Sequence, residues 1–230
     1  MMRENWNENY IAIIGDIKDS RKLERRREIQ DKLEAVLKTI NFKYKGQIAS
    51  KLTITLGDEF QGLLTDGATA ASIVEEIKME MAPVHIRFGI GNGKIFTNID
   101  IERAIGADGP AYYCAREAIN YLKENEKKKK TPVADVRFKF DRRDVLNQSV
   151  CVEETLLNTV FELIYTIEKE WSEKQRQAVW DMQKYGDVQQ DAAERLNIVQ
   201  STLNRSLAKA HYYTYAKAMN DVKKVLGEIT

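Results

Sequence analysis

The chain has 230 residues, of which 43% are hydrophobic and 31% are charged, and its formal net charge is +1. This composition is typical of one or two globular domains, since a domain usually contains about 100–200 residues, and it excludes a strongly basic or acidic binding protein. No apolar segment approaches the ~18–20 residues of a membrane span, and the N-terminus lacks the apolar run of a signal peptide. We therefore expect a cytoplasmic protein with no membrane partner.

The first predicted strand ends in a carboxylate. Residues 10–14 form an apolar run long enough for a buried strand, and Gly15-Asp16 follows it directly. Residues 52–56 alternate between apolar and polar side chains, which predicts a second strand, and residues 61–64 predict a third. The turn between them, Gly57-Asp58-Glu59, predicts a hairpin with two acidic residues at its tip.

The order of the elements indicates how these strands are arranged. Apolar residues spaced three and four apart predict one helix over residues 23–40 and a second over residues 70–81. Residues 84–91 alternate as a fourth strand. The order strand, helix, strand, strand, helix, strand is typical of an α+β ferredoxin-like sheet, in which the first strand lies beside the hairpin. Asp16 and Asp58 are therefore expected at one edge of the sheet.

A helical region follows the sheet region. Residues 111–124 predict a further helix and residues 133–140 a last strand, after which every predicted element is helical. Apolar spacing predicts these later helices over residues 153–169, 173–185, 188–196 and 200–226. We therefore expect two domains, an α+β sheet domain over residues 1–144 and an all-α domain over residues 145–230.

Acidic residues at adjacent strand ends are what a metal-dependent phosphate site requires. Carboxylate oxygens are the ligands that Mg²⁺ and Mn²⁺ prefer, so Asp16, Asp58 and Glu59 are predicted metal ligands. Two of them follow a glycine, Gly15 or Gly57, which allows the backbone to approach a phosphate closely. In an alternative interpretation, the acids only shape a turn and cap a helix. Three basic residues are predicted to contact phosphate groups: Lys18, Arg21 and Arg87.

Several segments resemble nucleotide cyclases. Residues 56–60 (LGDEF) differ by one residue from the signature of GGDEF diguanylate cyclases, and residues 87–93 (RFGIGNG) and 109–116 (GPAYYCAR) resemble segments of class III nucleotide cyclases. The resemblance implies a palm, or cyclase-like, fold that binds a nucleotide through a divalent metal, with Arg116 at the phosphates. Tyr113 stands where those cyclases have asparagine. Arg116 lies one residue early, which rotates its side chain by ~100° from the cyclase position.

Three segments taken together resemble the SatD family of bacterial proteins. They are residues 14–21 (IGDIKDSR), 54–61 (ITLGDEFQ) and 104–118 (AIGADGPAYYCAREA). The resemblance extends over the full length of the chain and implies membership of that family, without implying a particular activity.

Residues 189–207 resemble the helix-turn-helix of phage and bacterial regulators. Ala193 is small where the two helices would touch, and Asn197 tolerates the left-handed conformation that the turn requires. The predicted shared core consists of Leu196, Ile198, Leu203 and Leu207. The second helix carries amides, hydroxyls and a guanidinium, which can read base edges in the major groove. These predicted DNA contacts are Gln200, Ser201, Thr202, Asn204 and Arg205.

Charge leaves the role of this helix-turn-helix open. Residues 171–230 carry nine basic and seven acidic residues, and a net charge of +2 is low for tight DNA binding. A helix-turn-helix used only for protein contact is therefore an alternative. A homodimer would double the charge and present two recognition helices. The apolar face of the last helix predicts packing either on residues 153–169 or on a second chain.

The sequence thus predicts a bacterial regulatory protein in which a metal-dependent nucleotide-binding palm is coupled to a DNA-binding helix-turn-helix. In a first alternative, the protein is a nucleotidyl cyclase or a related phosphoryl-transfer enzyme whose helical domain is a scaffold. In a second, the palm has lost ligand binding and is an interaction module.

Overall fold

The structure is a computed structural model that describes residues 8–20, 24–128, 131, 133–141, 148–186 and 188–228. Arg21, a predicted phosphate contact, lies outside these residues. The strands are β1 (Tyr10–Ile17), β2 (Ile48–Leu56), β3 (Glu59–Leu64), β4 (Ile86–Gly93) and β5 (Val136–Phe140). The helices are α1 (Arg26–Lys43), α2 (Gly67–Met81), α3 (Pro110–Asn125), α4 (Gln148–Lys169), α5 (Glu173–Tyr185), α6 (Gln189–Arg195), α7 (Gln200–Lys209) and α8 (Tyr212–Glu228). Within the described ranges, every helix is too short or too polar to cross a membrane.

The strands form one sheet in the order β2-β3-β1-β4-β5. Neighbouring strands are antiparallel except for β4 and β5, which are parallel and are separated in the chain by α3. The first four strands therefore lie in the ferredoxin-like order, with β1 between the hairpin and β4. The prediction of an α+β palm-like sheet followed by helices is confirmed.

Strand β1 lies at the centre of the sheet and separates two cores. Ile11 and Ile13 pack with residues of α1 and α2, whereas Ala12 and Ile14 pack with residues of α3. The side chains alternate in this way because successive residues of a strand point to opposite faces. By the same alternation Asp16 belongs to the α3 face, so the end of β1 places a carboxylate beneath that helix.

Helix α3 lies close to the sheet because β4 carries glycine beneath it. A Cβ atom at Gly91 would lie 2.1 Å from the carbonyl oxygen of Ala111, and one at Gly89 would lie 2.2 Å from that of Ala115. Both distances are shorter than close packing allows. The two glycines thus set the height of α3 above β1 and β4, and with it the positions of the charged side chains that α3 directs at the sheet.

Helix α4 covers the outer edge of the sheet at β5. The side-chain amide of Asn158 donates to the carbonyl oxygen of Phe138 (2.9 Å), and its oxygen accepts from the backbone N–H of Phe138 (2.8 Å). Glu154 accepts from the backbone N–H of Phe140 (3.0 Å). An open sheet edge presents backbone groups that can pair with another chain. Helix α4 satisfies these groups from within the chain.

We expect Asn158→Ala to lower the free energy of unfolding by about 1–3 kcal/mol, because buried backbone groups of Phe138 lose their partner. Urea denaturation followed by circular dichroism measures this change. Thr159→Ala is the matched control, since Thr159 is exposed on the same helix and its hydroxyl donates only to the carbonyl oxygen of Thr155. Equal losses in the two variants would contradict the role of Asn158 at the edge.

Helices α5, α6 and α7 surround a small apolar core. Ala193 is buried together with Leu203 and Leu207, and Asn197 in the turn has a φ of 51°, as the helix-turn-helix pattern predicts. One predicted core residue differs, since Ile198 is 37% exposed. Its backbone N–H donates to the carbonyl oxygen of Ala193 (3.0 Å) and closes the turn, and its side chain lies at the surface.

The prediction of one continuous helix over residues 200–226 is wrong. Helices α7 and α8 are separate, and His211 between them adopts a left-handed φ of 53°. The indole Nε1 of Trp171 donates to the carbonyl oxygen of Ala210 (2.9 Å) at this bend. The chain changes direction here because α7 packs on α5 and α6, whereas α8 packs mainly on α2.

Helix α8 joins the helical region to the sheet region. Val222 and Leu226 lie in the same core as the side chains beneath α1 and α2. Tyr215 and Lys223 bind the buried carboxylate of Glu75 on α2, at 3.0 and 2.6 Å. The apolar face of the last helix therefore packs on α2 and α4 of its own chain. The two regions share a core, and the boundary between two domains remains a prediction.

Candidate functional site

Three neighbouring strands bring charged side chains to one edge of the sheet. Asp16 on β1 lies opposite Glu59 on β3 and opposite Arg87 on β4. The backbone N–H of Ile17 donates to the carbonyl oxygen of Asp58 (3.2 Å), which holds the hairpin tip against the end of β1. The structure therefore brings Asp16 and Asp58 together, as the strand order predicts.

Asp16 is buried, and both of its carboxylate oxygens are bound by cations. Oδ2 accepts from Nη1 of Arg87 at 2.6 Å, and Oδ1 pairs with Nζ of Lys123 at 2.8 Å. Lys123 lies near the end of α3, whose height above the sheet allows this contact. The carboxylate that the sequence assigns to a metal is thus neutralised by two basic side chains.

A second carboxylate, that of Glu126, links the basic residues of this edge. Its Oε2 accepts from Nε and Nη2 of Arg87 (2.9 and 2.5 Å), and its Oε1 pairs with Nζ of Lys18 at 2.5 Å. Burial alone would raise the pKa of Glu126, but the hydrogen bonds from Arg87 and Lys18 outweigh burial and lower this pKa. The sequence prediction includes neither Lys123, in the last turn of α3, nor Glu126, the residue that follows α3 three positions later.

Glu59 is held by Arg116 through two hydrogen bonds. Nη1 and Nη2 of Arg116 donate to the two oxygens of Glu59 at 2.5 and 2.7 Å. These bonds raise the pKa of the Arg116 guanidinium. The one-residue departure from the cyclase pattern therefore does not remove Arg116 from the edge. It places the guanidinium on a predicted metal ligand.

The other predicted residues lie around the hairpin tip. Asp58 is partly exposed there, and Gly57 has a left-handed φ of 63°, which residues with a Cβ rarely adopt. Glycine is required at position 15 for a different reason. A Cβ atom at Gly15 would lie 2.1 Å from the ring of Phe60, on the face of the sheet opposite to Asp16. Packing of Phe60 therefore accounts for Gly15 without a ligand.

The carboxylates of this edge do not fit a divalent-metal site in this arrangement. Within the described ranges, no three histidine, cysteine or acidic side chains are grouped to hold a metal ion. Asp16 and Glu59 each use both oxygens on lysine or arginine, and Mg²⁺ or Mn²⁺ would need those oxygens as ligands. The donor set fits a network of ion pairs instead.

The basic side chains of this edge can bind an anion. Arg116 and Lys123 are 43% and 36% exposed, so a ligand can reach both. Arg87 and Lys18 lie deeper, at 13% and 14% exposed. A phosphate group offers the same kind of oxygen acceptor as a carboxylate, and arginine binds both with its planar fork. These cations are paired with Asp16, Glu59 and Glu126, so a phosphate group would bind here by replacing a carboxylate.

The surface of α7 is a second candidate site. Its leucines are buried against α5 and α6, which turns the opposite face of α7 outward. Of the predicted DNA contacts, Thr202 is half-buried on this helix. The exposed ones are Gln200, Ser201, Asn204 and Arg205.

Comparisons with known proteins identify a family. A family model described as the SatD family matches residues 10–226. Curated proteins include no match to the chain. Among solved structures, a bacterial light-regulated adenylyl cyclase is 14% identical with a TM-score of 0.42, over 57% of this chain and 75% of that chain.

Two further solved structures are similar at a comparable level. An EAL/GGDEF domain protein from M. capsulatus is 13% identical with a TM-score of 0.38, over 60% of this chain and 88% of that chain. A regulator of polyketide synthase expression from Bifidobacterium adolescentis is 12% identical with a TM-score of 0.28, over 97% of this chain and 87% of that chain. At these identities and TM-scores, the likeness extends to no activity, ligand or partner.

Proposed function

The chain belongs to the SatD family, and we propose that it is a bacterial regulatory protein in which a nucleotide-binding palm is coupled to a DNA-binding helix-turn-helix. The observation that carries this proposal is the exposed polar face of α7, a helix whose other face packs into the core shared with α5 and α6. The proposed palm domain comprises residues 1–144, and the proposed helical domain comprises residues 145–230.

Helix α7 has the chemistry of a recognition helix. On its N-terminal half, at helical spacing, it exposes Gln200, Ser201, Asn204 and Arg205. A recognition helix inserts this part into the major groove, where amides, hydroxyls and guanidinium groups pair with base edges. The leucines of α7 point into the core, so the outward face of the helix is polar.

We also propose that the protein contacts DNA as a homodimer. The segment that contains the helix-turn-helix has a low positive charge, because residues 171–230 carry nine basic and seven acidic side chains. Phosphate contacts supply much of the affinity for DNA, and two copies would double them. A two-fold dimer would also present two copies of α7 to two half-sites.

In the palm, we propose that phosphate groups of a nucleotide bind directly to basic side chains. Arg116 and Lys123 are the accessible contacts, with Arg87 and Lys18 behind them. A phosphate would take the place that a carboxylate occupies now, with charge-assisted hydrogen bonds of the same kind. No step of this proposal uses Mg²⁺ or Mn²⁺, because two of the predicted metal ligands, Asp16 and Glu59, are engaged by cations.

DNA binding is tested by selecting genomic fragments with the full-length protein and measuring their affinity. We expect Asn204→Ala and Arg205→Ala each to weaken binding to a selected fragment by about 5- to 150-fold, since a base contact is worth about 1–3 kcal/mol. Lys217→Ala is the control, because Lys217 is also an exposed cation and lies on α8 rather than α7. Selection of no fragment, or equal affinity of all variants, would refute DNA reading by α7.

A further inference from the structure

A cavity of about 150 Å³ lies between the sheet region and the corner where α4 meets α5. It is separate from the outward face of α7. It is also separate from the basic edge of the palm, by which we mean Lys18, Arg87, Arg116 and Lys123. Its walls come from the start of β4, the chain before β5, and the helices on both sides of the corner. The lining residues that matter are His85, Asp135, Tyr165, Glu168, Trp171 and Trp180.

Two buried carboxylates supply hydrogen-bond acceptors to this cavity. Nζ of Lys78 pairs with Oδ2 of Asp135 at 2.8 Å and with Oε2 of Glu168 at 2.5 Å. One ammonium group therefore faces two carboxylates, and it uses only one oxygen of each. Buried acceptors of this kind favour a ligand group that donates hydrogen bonds. These carboxylates offer acceptors to N–H donors of a ligand, and the cations Lys78, Lys169 and Arg176 also line the cavity.

Aromatic side chains form the opposing walls of the cavity. Trp171 is buried there, and Trp180 and Tyr165 complete the wall, together with apolar residues such as Pro83. Flat aromatic walls favour planar groups that stack on them, and the guanidinium of Arg176 lies 5.2 Å from the ring centre of Trp180 and 5.9 Å from that of Trp171. An engineered cavity of about 150 Å³ holds a benzene ring, so this volume is too small to enclose a whole nucleotide.

The cavity adjoins both the basic edge and the end of α7. Nζ of Lys18, which pairs with Glu126 in the basic edge, lies 5.2 Å from the ring centre of Tyr165 in the cavity wall. On the other side, the indole of Trp171 donates to the carbonyl oxygen of Ala210, the residue that follows α7. A ligand in the cavity would therefore lie beside Lys18 of the palm edge and would contact Trp171, which binds the C-terminal end of α7.

We propose that this cavity binds the base of a guanine nucleotide. Guanine is planar and carries two adjacent donors, N1–H and the exocyclic N2 amino group, which match the oxygens of a carboxylate, whereas adenine lacks this pair. The base would stack on the tryptophans and donate to Glu168 or Asp135. The proposal deepens the proposed nucleotide site, on which it rests for the phosphates near Lys18. The base pocket can be tested without the phosphates.

The test uses guanosine, which has no phosphate, titrated into the full-length protein by calorimetry or by tryptophan fluorescence. We expect saturable binding of guanosine, with adenosine at least 10-fold weaker. Absence of guanosine binding at millimolar concentration, or equal binding of the two nucleosides, would overturn the proposal. This comparison needs no variant, so it does not depend on the folding of one.

Variants then locate the binding. Glu168→Gln keeps the size of the side chain but replaces one acceptor oxygen with an amide, and we expect at least 10-fold weaker guanosine binding. Trp180→Leu removes a stacking wall at a half-buried position and should also weaken it. Glu170→Gln, two residues along and exposed, is the control and should change nothing. Unchanged guanosine affinity in folded Glu168→Gln would refute the assignment.

Inorganic triphosphate separates this inference from the proposed function. If triphosphate binds and guanosine does not, the cavity proposal is wrong while the phosphate site stands. If guanosine binds and triphosphate does not, the proposed phosphate site at the basic edge is refuted and the proposed base site in the cavity is supported. Arg116→Gln should weaken triphosphate and leave guanosine unaffected, and Glu168→Gln should do the reverse.

Discussion

Replacing Lys78 with methionine is expected to lower the free energy of unfolding by about 3–5 kcal/mol, because the substitution leaves two buried carboxylates without their cation. The Lys78 side chain is 15% exposed, and its ammonium is the shared partner of Asp135 and Glu168. Burial alone would lower the pKa of Lys78, but the two carboxylates outweigh burial and raise it. Urea denaturation at pH 7 measures the loss.

The loss in Lys78→Met should depend on pH with a defined sign. Without the ammonium, the largest effect that opposes burial at the Glu168 carboxyl is lost, and its folded-state pKa rises further above the unfolded value. The pKa of Glu168 is raised by burial even with Lys78 present. A buried carboxyl group whose pKa is raised in the folded state destabilises the fold when it ionises. This destabilisation grows as the pH rises through the raised pKa, and it disappears at low pH, where the group is protonated. The difference from the wild type should therefore shrink from pH 7 to pH 5, and a constant difference would contradict this account.

Lys38→Met is the matched control for this prediction. Lys38 also pairs with a glutamate, Glu34, at 2.8 Å, but its side chain is 74% exposed. Exposed pairs of this kind contribute little, so we expect a change within about 0.5 kcal/mol. A similar loss in the two variants would show that the charge of a lysine, rather than its burial between two carboxylates, matters.

Changing both accessible cations of the palm should abolish most of its phosphate binding. We expect the double variant Arg116→Gln and Lys123→Gln to bind inorganic triphosphate at least about 100-fold more weakly, since each charged hydrogen bond contributes about 1.5–3 kcal/mol. Lys51→Gln is the control, because Lys51 is 40% exposed and paired with Glu102 away from this edge. Calorimetry gives the affinities, and equal affinity in all three proteins would refute the phosphate site.

Titrations with and without Mg²⁺ or Mn²⁺ distinguish direct phosphate binding from the metal-dependent alternative. Direct binding predicts that ATP, GTP and triphosphate raise the melting temperature without a metal ion, because a ligand that binds only the folded state stabilises it. A shift that requires the metal and disappears in Asp58→Ala would instead support the metal site predicted from the sequence. A new nucleotide product detected by mass spectrometry would support the enzyme alternative.

The sequence by itself determined the elements and the faces of their side chains. The alternation through residues 10–16 places Asp16 on the same face as Ala12 and Ile14 whatever packs on that face. The hairpin and the turn at Asn197 are also local, because a few residues with special backbone preferences determine them. These features were predictable because their causes lie within one turn or one strand.

Only the tertiary structure decided what each charged side chain binds. The local sequence around Asp16 is the same whether its carboxylate binds a metal ion or two basic side chains. What it binds depends on Arg87, 71 residues away, and on the height of α3 above the sheet. The pairing of Lys78 with Glu168 spans 90 residues and creates the polar wall of the cavity. The bend at His211 likewise follows from two helices with different packing partners. Periodicity identifies which face of an element is buried, but the partner on that face is set by packing between distant elements.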